Sequence, residues 1–164
     1  MLVLGIDPGT ATTGYGLVLE NETGVLCANS YGVISTPADL AMPARLQSLY
    51  QQIEQLIHLH RPDYGAVEKL FFQRNVSTAL SVGQARGVIL LAFANRSIPV
   101  AEYTPLEVKQ AVSGYGSAGK NQVQNMVKAL LSMDQLPKPD DAADALAIAI
   151  CHVNSHRIKS LSAT

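Results

Sequence analysis

The chain has no CxxC pair: its two cysteines, Cys27 and Cys151, lie far apart, so neither a zinc site nor a disulfide framework is written into it. It has no basic n-region, and the apolar run that opens it stops at Asp7, which argues against a secretory signal. No apolar run approaches the roughly 20 residues that span a bilayer; the longest later one, Val88 to Ala94, falls far short. There is no internal repeat, no low-complexity segment and little net charge, −1 in all. What remains is a reduced, cytoplasmic chain with no membrane segment. Its 164 residues suit one domain, large enough to bury roughly two-thirds of its unfolded surface. That domain is expected over 1–155, followed by a frayed polar tail over 156–164.

The near-neutral total hides an asymmetry. Residues 1–63 carry two basic and six acidic side chains, residues 64–164 ten basic and seven acidic. If metal ions neutralised Glu68, Asp141 and Asp144, ten basic groups in the second part would face four acids. A basic face able to meet nucleic acid then becomes possible.

The stretch Leu2 to Thr10 organises the rest. Its first residues are apolar or Gly, as in a strand covered on both faces, and Asp7, Pro8 and Gly9 break it with turn chemistry. Asp7 thus stands at the exit of a buried strand, either as a turn former or as a ligand. Strands are predicted at Thr13–Leu19 and Val25–Ser35, the latter bulged at Gly32, making an antiparallel meander. From Ala44 the period changes to that of a helix ending near Arg61. A strand at Tyr64–Lys69 follows, parallel to the first, with Glu68 near its end. A helix over Val76–Asn95 carries Gly83 and Gly87, and a strand over Ile98–Tyr103 follows it. Then come a helix at Pro105–Ser113 and one at Lys120–Ser132, with Lys120, Gln124 and Lys128 in an outward stripe. The last helix starts at Asp140 or Asp141 and is apolar nearly all round. This is an α/β chain: a mixed five-stranded sheet, three antiparallel strands then parallel ones, with helices on both faces. Asp7 and Glu68 end neighbouring strands, where such sheets place ligands.

Asp141 and Asp144 are three apart, so both side chains share one face of the first helical turn. Asp140 reads as that helix's cap. Were Asp7, Glu68, Asp141 and Asp144 to meet within about 4 Å, each like-charge pair would cost about 4 kcal/mol at an effective dielectric of 20. Divalent cations would remove that cost. Carboxylates without Cys or His suit Mg²⁺ or Mn²⁺, and four can hold two ions at the spacing of two-metal phosphodiester cleavage.

Gly5-Ile-Asp-Pro-Gly-Thr10, Glu68, Gly83-Gln-Ala-Arg-Gly87, Val108-Lys-Gln110, Gly116-Ser-Ala118 and Asp141-Ala-Ala-Asp-Ala-Leu-Ala147 resemble, in this order, the RuvC family of bacterial Holliday-junction resolvases. The resemblance implies an RNase H-like fold and a homodimer that nicks two opposed strands of a four-way DNA junction in recombination and repair, leaving 5′-phosphate and 3′-hydroxyl ends. It implies that Asp7, Glu68, Asp141 and Asp144 are catalytic metal ligands for two Mg²⁺ ions, with Mn²⁺ able to substitute. Lys109 and Lys120 resemble the family's functional lysines and Phe71 its aromatic at the crossover. Phe72 doubles that aromatic, and Arg74 follows as a further nucleic-acid contact. The family also implies the branch-migration partners RuvA and RuvB. Taken alone, a Lys of this kind is more often a solvated surface group, and a Phe pair is more often core. The Gly83/Gly87 helix is the candidate dimer surface.

Rival readings are an actin-like ATPase, for which the chain is too short, a catalytically silent junction-binding module, and a nuclease for structured RNA. Gly114-x4-Gly119-Lys120 is nearly a Walker A loop, but Asn121 replaces its Ser or Thr and a helix precedes it. His152 and His156 lack a third ligand of their type.

Overall fold

The structure is a computed structural model and describes residues 1–69 and 76–162. Five strands run β1 (Leu2–Asp7), β2 (Thr12–Glu20), β3 (Leu26–Ser35), β4 (Tyr64–Glu68) and β5 (Val100–Tyr103), in the spatial order β3-β2-β1-β4-β5. β1 pairs antiparallel with β2 and β2 with β3, whereas β1–β4 and β4–β5 are parallel. This is the mixed sheet expected from the meander and the crossover helices.

Two helices, α1 (Met42–His60) and α2 (Val76–Asn95), cover one face; α3 (Pro105–Ser113), α4 (Lys120–Leu130) and α5 (Asp140–Ser162) cover the other. The two-residue period of each strand divides its side chains between them. Leu4 and Ile6 of β1 enter the core under α1 and α2, while Val3 enters the core under α5. Gly5 and Asp7 share the parity of Val3. In β4, Val67 goes to the α2 side and Ala66 to the α5 side, so Glu68 has the parity of the α5 face. The alternation alone therefore sends both strand-end acids toward α5.

Local signals account for the helix ends. Thr104 and Glu107 form a reciprocal capping box on α3, and Gly114 closes it with φ 78°. Arg61 closes α1 in the left-handed region, just before Pro62. Three elements differ from their sequence reading. The bulge in β3 falls at Asn29, between the pairs Leu17–Ser30 and Val18–Ala28, not at Gly32; Gly32 instead leaves room for the Tyr15 ring across the ladder. Helix α4 ends at Leu130. Helix α5 continues through 156–162, where a polar tail was expected, held by Arg157 to Glu20 and to the Gly24 carbonyl. Among the described residues no helix is long and apolar enough to cross a membrane. Cys27 is exposed, Cys151 buried, and both are free.

Candidate active site

Helix α5 crosses β1 and β2 closest where their α5-facing positions are glycines. Gly5 and Gly16 face each other in the ladder, and Asp7 faces Gly14. A Cβ built on Gly5 would stand 2.2 Å from the Ala145 carbonyl oxygen, one on Gly16 2.7 Å from the Leu146 nitrogen, and one on Gly14 2.0 Å from the Asp141 carbonyl oxygen. Real Cβ atoms do not approach backbone so closely, so only glycine permits this seat. The seat sets the chemistry: Asp141 lies over Gly14, the partner of Asp7, and Asp144 follows one turn along.

The parallel register pairs Gly5 with Ala66 and Ile6 with Val67, so one step further Asp7 and Glu68 end adjacent strands. Asp7, Asp141 and Asp144 each offer a carboxylate oxygen, all within 4.8 Å of one another. Glu68 does not join that trio but lines the same cleft, of about 260 Å³, with Asp7, Asp144, Lys109 and Lys120. Of the four acids singled out in the sequence, three therefore converge and the fourth flanks them.

The electrostatics are those of an acid cluster short of counter-charge. Burial, then Glu68, Asp144 and Asp141, push the Asp7 carboxyl from 3.8 up to about 8. Glu68 is raised by burial and by Asp144 and relieved by Lys109; Asp144 is raised by burial and relieved by Lys120. At an effective dielectric of 20, two unit charges at the trio's spacing repel by about 3.5 kcal/mol. A hard divalent cation fits this donor set, since all its ligands are carboxylate oxygens.

Helix α4 supplies cations and a surprise. Lys120 reaches back to α5, its Nζ 3.1 Å from Asp140 Oδ2 and 3.6 Å from Asp144 Oδ2. Gln124, expected outside with Lys120 and Lys128, is 8% exposed, and its Nε2 donates to Asp140 Oδ1 at 3.0 Å. Asp140 is not the cap of α5 either: the Pro139 carbonyl accepts from the Ala142 and Ala143 amides, and Asp140 spends both oxygens on α4. Sequence spacing held the clue only in part, because a helix-start acid serves equally as cap or as ion-pair partner. Phe71, Phe72 and Arg74 lie outside the described residues.

The family model described as RuvC, crossover junction endodeoxyribonuclease, matches residues 3–152. The chain belongs to the RuvC family. A curated relative named crossover junction endodeoxyribonuclease RuvC, from Syntrophomonas wolfei, is 58% identical over 160 residues, spanning 98% of this chain and 92% of the relative. The Thermus thermophilus RuvC structure superposes with a TM-score of 0.91 at 35% identity, covering 97% of each chain. A second T. thermophilus RuvC structure, in complex with Holliday junction substrate, gives 0.88 at 33% identity and 96% of each chain. The mixed sheet with helices on both faces is thus the RNase H-like fold of the RuvC resolvases, as expected.

Proposed function

We propose that this RuvC-family endonuclease resolves four-way DNA junctions by paired nicks in opposed strands, with Asp7, Glu68, Asp141 and Asp144 as its metal-binding acids. The observation that carries the site is the convergence of three carboxylates within 4.8 Å at the strand ends, a cluster whose repulsion a bound divalent cation would relieve. Held by these carboxylates, two Mg²⁺ ions, or Mn²⁺ in their place, would supply a lowered pKa for the attacking water and charge to offset that of the leaving 3′ oxygen. The protein's own part is positioning. The glycine seat and the strand register hold the acids rigidly around the cleft, and Lys109 and Lys120 stand on its wall to meet phosphates. Phe71 and Phe72, with Arg74, follow the acidic strand end in sequence and serve as base-stacking and backbone contacts.

Paired cuts call for two cleavage sites, hence a homodimer. Helix α2 offers the surface: Leu80 and Leu91 are exposed, and Gly87 has open space above it. Cooperation with RuvA and RuvB belongs to the same reading, in the cytoplasm. The test is cleavage of a synthetic four-way DNA junction beside a linear duplex and a ribonucleotide junction of the same sequence. Symmetric nicks in the DNA junction, sealed by ligase, are expected. Equal cutting of the linear duplex, or preference for the ribo substrate, would overturn the proposal.

A further inference from the structure

The contact between Asp140, Gln124 and Lys120 is not accounted for by metal binding or helix capping. Asp140 does not line the cleft; Lys120 does. The carboxylate is held at one oxygen by the buried Gln124 amide and at the other takes the Lys120 ammonium. Gln124 and Lys120 are four apart on α4, so they meet Asp140 from one helix face as a two-point clamp. The ammonium is shared: its shorter contact is to Asp140 outside the cleft, its longer one to Asp144 within it. Without the outer carboxylate, the nearest described anion left to Lys120 among its ion pairs is Asp144. A lysine folded down on Asp144 would compete with any cation for that oxygen and leave the cleft mouth.

We propose that Asp140 and Gln124 are positioning residues that share Lys120 with Asp144, holding its ammonium at the mouth of the cleft, available to an entering phosphate, instead of letting it move wholly onto Asp144. The inference rests on the junction-nuclease reading for its activity arm, and its second arm needs no DNA. Asp140 is also an acid in the first turn of α5, where charge complements the helix dipole. A purely structural role of that kind would act whether or not Lys120 is present.

The experiment compares wild type, Asp140→Asn, Gln124→Ala, Lys120→Ala and the Lys120→Ala/Asp140→Asn double variant. It measures single-turnover junction cleavage, junction binding, and the Mg²⁺ concentration that half-stabilises the DNA-free protein against heat. Loss of such a supporting contact lowers rate or metal affinity by about tenfold or more. Asp140→Asn and Gln124→Ala are expected to cut cleavage by about tenfold with junction affinity kept, and to raise the Mg²⁺ midpoint by about tenfold. In the Lys120→Ala background, adding Asp140→Asn is expected to change either quantity by less than about twofold. The proposal is overturned if Asp140→Asn matches wild type in both arms, or if it acts by the same factor without Lys120. If wild type leaves junctions uncut, the nuclease reading fails by itself, and the Mg²⁺ arm still decides the clamp.

Discussion

Asp7→Asn keeps the shape of the innermost acid and removes its ability to ionise. In cation-free buffer the folded protein holds Asp7 protonated up to about pH 8, whereas the unfolded chain releases that proton near 3.8. The stability that Asp7 contributes is therefore fully present below 3.8 and is lost as pH rises through about 8. At 1.36 kcal/mol per tenfold change in proton affinity the loss would reach about 5–6 kcal/mol, and water in the open cleft roughly halves it, to about 3 kcal/mol. The Asn variant escapes this penalty. With chelator at about pH 8 it should exceed wild type by about 3 kcal/mol, or about 6–12 °C in melting temperature. Toward about pH 5 the gap should close to less than about 1 kcal/mol. Added Mg²⁺ should raise the melting temperature of wild type and do little for the variant. Urea titration and thermal scans across pH, with and without Mg²⁺, read all three. A variant no more stable than wild type at about pH 8, or a gap that persists unchanged to about pH 5, would refute the reasoning.

Three other outcomes follow from particular contacts. Gly14→Ala sets a methyl 2.0 Å from the Asp141 carbonyl; it should cost about 1–3 kcal/mol and, by moving Asp141 off Asp7, lower cleavage by about a hundredfold, measured by urea melts and junction assays. His152 is buried, and its Nδ1 lies 2.9 Å from the Tyr103 hydroxyl. Burial, then His156 and Lys159, lower its pKa from 6.5 to about 4. Its share of stability is present above 6.5 and lost as pH falls toward about 4, by about 3 kcal/mol, and His152→Gln should flatten that slope in denaturant titrations. Gly87→Trp should yield monomers in sedimentation if α2 joins two copies; an unchanged mass would exclude that surface.

Most of the fold was legible because its signals are local. The apolar run of β1 ending in Asp-Pro-Gly, the continuous apolar span of α2, and Thr104-Pro105 ahead of Glu107 each carry their own start or stop. The strand-end acids were legible through topology, since a helix between β1 and β4 implies the parallel pairing that brings Asp7 and Glu68 to one edge. What escaped depends on contacts between distant segments. Residues 156–162 carry only Ile158 and Leu161 as apolar side chains, and their helix is tied to the β2–β3 hairpin by Arg157, which sequence spacing does not reveal. Gln124 sits in a polar stripe at helical spacing, so only the approach of α5 shows that its amide is buried. The seat at Gly5, Gly14 and Gly16 was not legible in the sequence: glycines inside strands are compatible with a close backbone approach, but only the docking of α5 shows it.

The central claim is that the converging carboxylates, acting with divalent cations, cut the junction. The most direct measurement is cleavage of a four-way DNA junction with Mg²⁺ by wild type, Asp7→Asn and Asp144→Asn, with junction binding measured alongside. Paired, ligatable nicks by wild type, lost in both variants while binding is retained, are predicted. Cleavage that survives either substitution, or wild type that binds the junction without nicking it, would contradict the account.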